Sequence, residues 1–238
     1  WWGILGLIGW AYLFAAVYYL IFRHNFAVLA WGIMLFNMFF LGDLTNSASF
    51  LAPLNKLVGI NGLGVLASMV LAGIVVRKIT DLPANNNPRN NLSSQLKWIF
   101  PVLGLLFTTI WMEVKLYQSA GIHLTVLLAL AAILLFFFVC YFVNNDFDEY
   151  IKRLLNFGLI LIITGFLLNT ISRISKNSGT PSWAVVCAGI CTLAYAICYY
   201  LLDVKSQRGW LVTAILPAAA NPLLAYILPE LMIVLIMV

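Results

Sequence analysis

Glu113, Lys115 and His123 fall close together, in and just after the stretch MEVKLYQSAG. A carboxylate, an amine and an imidazole at such spacing can converge as an acid–base group. The same side chains at the end of an apolar run also suit plain interfacial solvation, and that reading is preferred. His24 directly follows Arg23 at another such end and reads as a solvated histidine. A second set centres on Asn221, which has Pro217 before it and Pro222 after it. Proline lacks an N–H and its ring clashes with the preceding turn, so a helix kinks or breaks there. In hydrocarbon the freed carbonyls must meet protein or a water-filled cavity. The Asn221 amide offers a donor and an acceptor at that level. A polar cavity beside Asn221 is therefore expected, with a simple packing kink as the alternative. Glu230 follows Pro229 at the far end of the same segment. Asn37, Asn156 and Asn169 also lie within apolar runs, where a hydrogen bond to a neighbouring helix is worth about 1 kcal/mol.

The elements that must position these residues follow from composition. The chain of 238 residues is 63% hydrophobic and 9% charged, with a mean hydropathy of +1.01. Soluble domains carry about 25% charged residues. Continuous apolar runs of about 18 to 25 residues between polar breaks mean membrane-spanning helices. A barrel would alternate apolar and polar residues, and these runs do not. The expected fold is all-α, a polytopic membrane bundle. Its eight segments are near 2–22, 26–42, 58–76, 98–112, 121–143, 154–171, 182–202 and 210–228. Residues 231–238 then begin a ninth. The chain opens at Trp1 beside an apolar run and closes inside LMIVLIMV. The expectation is one transmembrane domain over 1–238, cut at both ends from a longer protein.

Cys140, Cys187, Cys191 and Cys198 all sit inside apolar runs, where disulfide and metal frameworks do not belong, so no metal is expected. Nothing close in sequence would activate a thiol. Ala184, Cys187, Cys191, Ala194 and Cys198 recur at spacings of three and four, as a small-residue packing face would. The net charge of +5 is carried at the ends of apolar runs, which fits a membrane and gives nucleic acid no footprint. The polar loop RKITDLPANNNPRNNLSSQLK has no Gly-Lys-Ser/Thr pattern for phosphates and reads as a connection.

Orientation follows from the basic residues. Arg23, Arg77, Lys78, Arg89, Lys97, Lys152, Arg153, Lys205 and Arg208 fall on one side, nine in all. Lys56, Lys115, Arg173 and Lys176 fall on the other. The richer side is assigned to the cytoplasm, which leaves the N-terminal end of the chain extracytoplasmic.

One set of elements resembles a known family. PSW at 181–183, AG at 188–189, YYLLDVK at 199–205, Trp210, Pro217 and NPLLAYILPE at 221–230 are similar to the C-terminal region of heparan-alpha-glucosaminide N-acetyltransferases. WWGILGLIGWAYL at 1–13 resembles a mid-protein helix of the bacterial branch; the resemblance covers roughly a third of the chain, at its two ends, and about 43–150 matches little. The resemblance implies a membrane acyltransferase of the bacterial inner membrane. Acetyl-CoA would be the acyl donor, and an amino sugar or glycan the acceptor. Homo-oligomers stay open. It implies Asn221 as a site-proximal residue; Tyr226, Lys205, Arg208 and Glu230 join it as donor- or substrate-binding candidates, and His123 and Glu113, from their spacing alone, are weaker acid–base candidates. Lys205 and Arg208 would attract the donor's phosphates. The family's His-x-x-Trp motif is absent here, so the catalytic histidine is expected upstream. Where the family has Gly-x-Asn this chain has AANP. Two other functions compete. A transporter of a small polar solute would also use a broken helix, but the halves of the chain show no repeat. A scaffold subunit would need no small-molecule site.

The topology is testable with single cysteines introduced at Asn90 and Ser206 in intact cells. Both are expected to resist an impermeant thiol reagent added outside; labelling of either from outside overturns the assignment.

Overall fold

A backbone in hydrocarbon has to satisfy its N–H and C=O groups within its own segment, and an apolar run that crosses a bilayer does so as a helix. The computed structural model describes residues 3–44, 60–81 and 149–204, together with 209, 212–213, 216–217 and 220–221. All regular structure among the described residues is helical. The elements are α1 (Gly3–Phe22), α2 (Phe26–Leu44), α3 (Ile60–Asp81), α4 (Glu149–Leu168) and α5 (Pro181–Tyr199). A π-helical turn, Tyr200–Val204, follows α5. The chain divides into two compact units, Trp1–Ile197 and Cys198–Val238.

Among the described residues three stretches are long and apolar enough to cross a membrane: Gly62–Asp81, Tyr150–Leu168 and Pro181–Asp203. Gly6–Phe22 and Phe26–Gly42 are shorter apolar helices. Large apolar side chains lie open on the outer faces, among them Leu13, Val17 and Leu20 on α1 and Trp31, Leu35 and Met38 on α2. Such faces suit lipid and not water. The expected segments at 2–22 and 26–42 coincide with α1 and α2. Two others differ at their polar ends. α3 continues past 76 through Arg77, Lys78 and Asp81, and α4 starts at Glu149 instead of 154. Helix length is set by backbone hydrogen bonding, and the polar ends extend the ladder beyond the apolar run. The segments at 98–112 and 121–143 lie outside the described residues.

Asn25 starts α2. Its Oδ1 accepts from the Val28 N–H at 3.3 Å and its carbonyl from the Leu29 N–H at 3.1 Å, the arrangement of an N-cap. Tyr18 ties α1 to α2. Its hydroxyl donates to the Val28 carbonyl at 2.8 Å, and its ring meets Phe36 edge-on at 5.6 Å. Gly32 leaves room for that ring, and any Cβ there would collide with it. At Gly64 a Cβ would lie 2.7 Å from the Phe36 carbonyl oxygen, so α2 and α3 nearly touch backbone to backbone. Lys78 sits over the Tyr19 ring at 5.8 Å. These contacts make α3 parallel to α1 and antiparallel to α2. The C-terminal ends of α1 and α3 therefore share one end of the group.

α4 and α5 form an antiparallel hairpin joined by 169–180. A Cβ on Gly165 would lie 2.9 Å from the Val186 nitrogen and 3.1 Å from the Ser182 oxygen. A Cβ on Gly189 would lie 2.9 Å from the Gly158 oxygen and 3.0 Å from the Ile162 nitrogen. The connection turns at Gly179, whose φ of 55° is left-handed and costs glycine least.

The small-residue face expected on the seventh segment is corrected here. Ala184 is buried, but Cys187 and Ala194 are only half-buried and Cys191 and Cys198 are exposed. The packed face carries Ser182, Val185, Val186, Gly189, Thr192, Leu193 and Ala196. Both sets have helical spacing. At 3.6 residues per turn Cys191 lies about 200° from Gly189, and the backbone contact at Gly189 fixes which side packs.

Gly189→Ala is expected to destabilise the protein by about 1–3 kcal/mol through overpacking, whereas Cys191→Leu should leave it nearly unchanged. Thermal unfolding in detergent checks the order; a larger loss in Cys191→Leu would overturn this packing.

Candidate functional site

α3 and α5 face each other through matching patterns. Met69, Ala72, Gly73 and Val76 fall at i, i+3, i+4 and i+7 on α3; Ala188, Cys191, Thr192 and Tyr195 repeat the pattern on α5. Residues so spaced share one helix face. Together they line a hollow of about 340 Å³, within the size range of small-molecule sites. Small side chains keep it open, and a Cβ on Gly73 would meet nothing within 4 Å.

Its described lining is nearly all apolar. The Thr192 hydroxyl is spent on its own helix, donating to the Ala188 carbonyl at 2.8 Å. Cys191 brings a thiol, and no charged side chain is among the described residues that line the hollow. No group of three His, Cys, Asp or Glu side chains among the described residues is placed to hold a metal. A second hollow, of about 460 Å³, lies across Met69 and Gly73 from the first. Val70, Ile74 and Arg77 of α3 and Tyr12 of α1 complete it.

Polar side chains are concentrated at the α4–α5 connection. Thr180 precedes α5, and its carbonyl accepts from the Ala184 N–H at 3.1 Å. Pro181 takes the first helical position, where its missing N–H costs nothing. The Ser182 hydroxyl donates to the Ser172 carbonyl at 2.7 Å and lies 3.2 Å from that of Thr180. The Thr180 oxygen also accepts from the Ser175 N–H at 3.0 Å. Asn169 Oδ1 accepts from the Ile174 N–H at 2.7 Å. The cluster latches the connection onto the start of α5. Ser182, the centre of the PSW element, is thus a latch residue, and Gly189 of the AG element is a crossing residue.

Of the binding candidates, Asn221 is described. It is exposed, and its N–H bonds to the Pro217 carbonyl at 3.1 Å. Ala220 is helical and Asn221 is not. Lys205, Arg208, Tyr226, Glu230, Glu113 and His123 lie outside the described residues. Asn37 is buried and donates from Nδ2 to the Ile33 carbonyl at 2.8 Å. Its Oδ1 and the buried Ser172 hydroxyl have no hydrogen-bond partner among the described residues. Sequence reasoning missed the α3–α5 hollow. Its signal is the repeated pattern of small residues, which becomes visible once the two helices are known to be neighbours.

No protein-family model, no curated protein and no solved structure matches the chain.

Ser182→Ala leaves the buried Ser172 carbonyl without its donor and is expected to cost about 1–3 kcal/mol. Ser178→Ala, on the exposed part of the same connection, should stay within about 0.5 kcal/mol of the parent. Equal melting temperatures for the two variants would show that the latch contributes nothing.

Proposed function

We propose that the chain is part of a membrane-bound acyltransferase that moves an acetyl group from acetyl-CoA to an amino sugar or glycan. The observation that carries this reading is the end of the helix at Asn221. It falls between Pro217 and Pro222, inside the ordered series of elements that resembles the heparan-alpha-glucosaminide N-acetyltransferases. In this reading the chain contributes about eight spans of a bacterial inner-membrane protein, its N-terminal end extracytoplasmic. Lys205 and Arg208 meet the donor's phosphates from the cytoplasmic side, and Asn221, with Tyr226 and Glu230 beyond it, lies along the donor's path. The transferring histidine belongs to the His-x-x-Trp motif that this sequence does not contain. His123 and Glu113 remain secondary acid–base candidates.

A transporter of a small polar solute is the second reading, since a discontinuous helix suits it as well. A solute of that kind needs converging polar groups. The α3–α5 hollow has a nearly apolar lining, and its buried hydroxyl already bonds to its own helix. That lining favours the acyltransferase.

In the full-length protein, Asn221→Leu is expected to weaken acetyl-CoA binding about fivefold or more, the equivalent of one lost hydrogen bond, at unchanged expression. Lys205→Gln with Arg208→Gln should weaken it further and flatten its salt dependence. Unchanged donor affinity in both would leave the transporter and scaffold readings standing.

A further inference from the structure

The hollow between α1 and α3 differs from its neighbour in having a cation at its end. Arg77 lines it, and Lys78 follows on the same helix. Because α1 and α3 are parallel, Arg23 at the end of α1 belongs to the same end of the group. Asp81 lies one turn beyond Arg77 on the same helix. It pairs with Arg77 at 3.0 Å, with both side chains largely open, 75% and 50% exposed. Exposed pairs of this kind are weak and exchange partners readily. Below Arg77 the groove is apolar, formed by Val70, Gly73 and Ile74 with Met69 at its foot and the Tyr12 ring as one wall. From Arg77 to Met69 it runs about 12 Å along the helix at 1.5 Å per residue. A slot of this shape, apolar in its length and cationic at its mouth, is complementary to a lipid with a negatively charged head. Basic pockets between membrane helices bind anionic headgroups in this way.

We propose that this groove holds one acyl chain of an anionic phospholipid, with the lipid phosphate on Arg77 and the positive charge of Lys78 and Arg23 nearby. Asp81 competes with the phosphate for Arg77, so the site is tuned by a carboxylate one turn further along α3. The proposal does not depend on the acyltransferase reading.

The test uses the full-length protein, delipidated in detergent, with thermal stability and native mass spectrometry as readouts. Dioleoyl phosphatidylglycerol is expected to raise the melting temperature and to stay bound. Dioleoyl phosphatidylcholine, which has the same chains, should do neither, and glycerol phosphate alone should give no shift. Arg77→Gln should weaken phosphatidylglycerol about fivefold, the equivalent of the ~1 kcal/mol one basic residue contributes at an anionic surface. Arg77→Lys should largely retain it. Asp81→Asn should tighten it, an effect that a purely structural ion pair would not produce. Ile74→Trp should block the groove and abolish retention. If that variant does not fold, the Arg77 and Asp81 series decides alone. Equal stabilisation by phosphatidylcholine, or undiminished retention in Arg77→Gln, overturns the proposal. So does a full shift from glycerol phosphate, which would make this an anion site without a chain.

Discussion

Close approach of helix backbones at glycine is the constraint on which the rest of the structure depends. Between membrane helices the lipid is as apolar as the side chains, so association rests on contact area and not on escape from water. Gly64 lets α3 reach the Phe36 carbonyl, and Gly158, Gly165 and Gly189 let α4 and α5 meet along their length. α3 also faces α1 and α5. There the side chains thin to Ala72 and Gly73, and hollows remain on both flanks.

Much of this fold was legible in the sequence. The α1 and α2 segments were readable to within two residues, because an apolar run and the helix it forms end together where Arg23 and His24 intervene. α3 and α4 were read short, at Arg77 to Asp81 and at Glu149 to Arg153, because hydropathy marks the edge of the bilayer and not the end of the hydrogen-bond ladder. The cysteine stripe failed for a different reason. Periodicity offers several equivalent faces on a helix, and only a neighbour chooses among them. The hollow beside Cys191 was illegible for the same reason. It belongs to a pair of helices, and neither sequence segment contains it alone.

The residues that carried the family resemblance have a physical account of their own. Ser182 secures the start of α5 through the Ser172 carbonyl, and Gly189 sits where α5 crosses α4. Residues with such roles speak first to architecture. Asn221 is of another kind. It is exposed and non-helical directly after helical Ala220, between Pro217 and Pro222.

The parallel course of α1 and α3 has an electrostatic consequence. Each helix carries a partial negative charge at its C-terminus, from carbonyls that lack a following turn. Two such poles lie together at one end of the group, and Arg23, Arg77 and Lys78 stand at or beside them. Each cation near a pole gains about 0.3–1 kcal/mol. The basic residues that mark this end are thus held by the helices' own dipoles. The last turn of α3 carries Lys78 over the Tyr19 ring, and Arg77 one turn before Asp81 offsets the carboxylate that the pole disfavours.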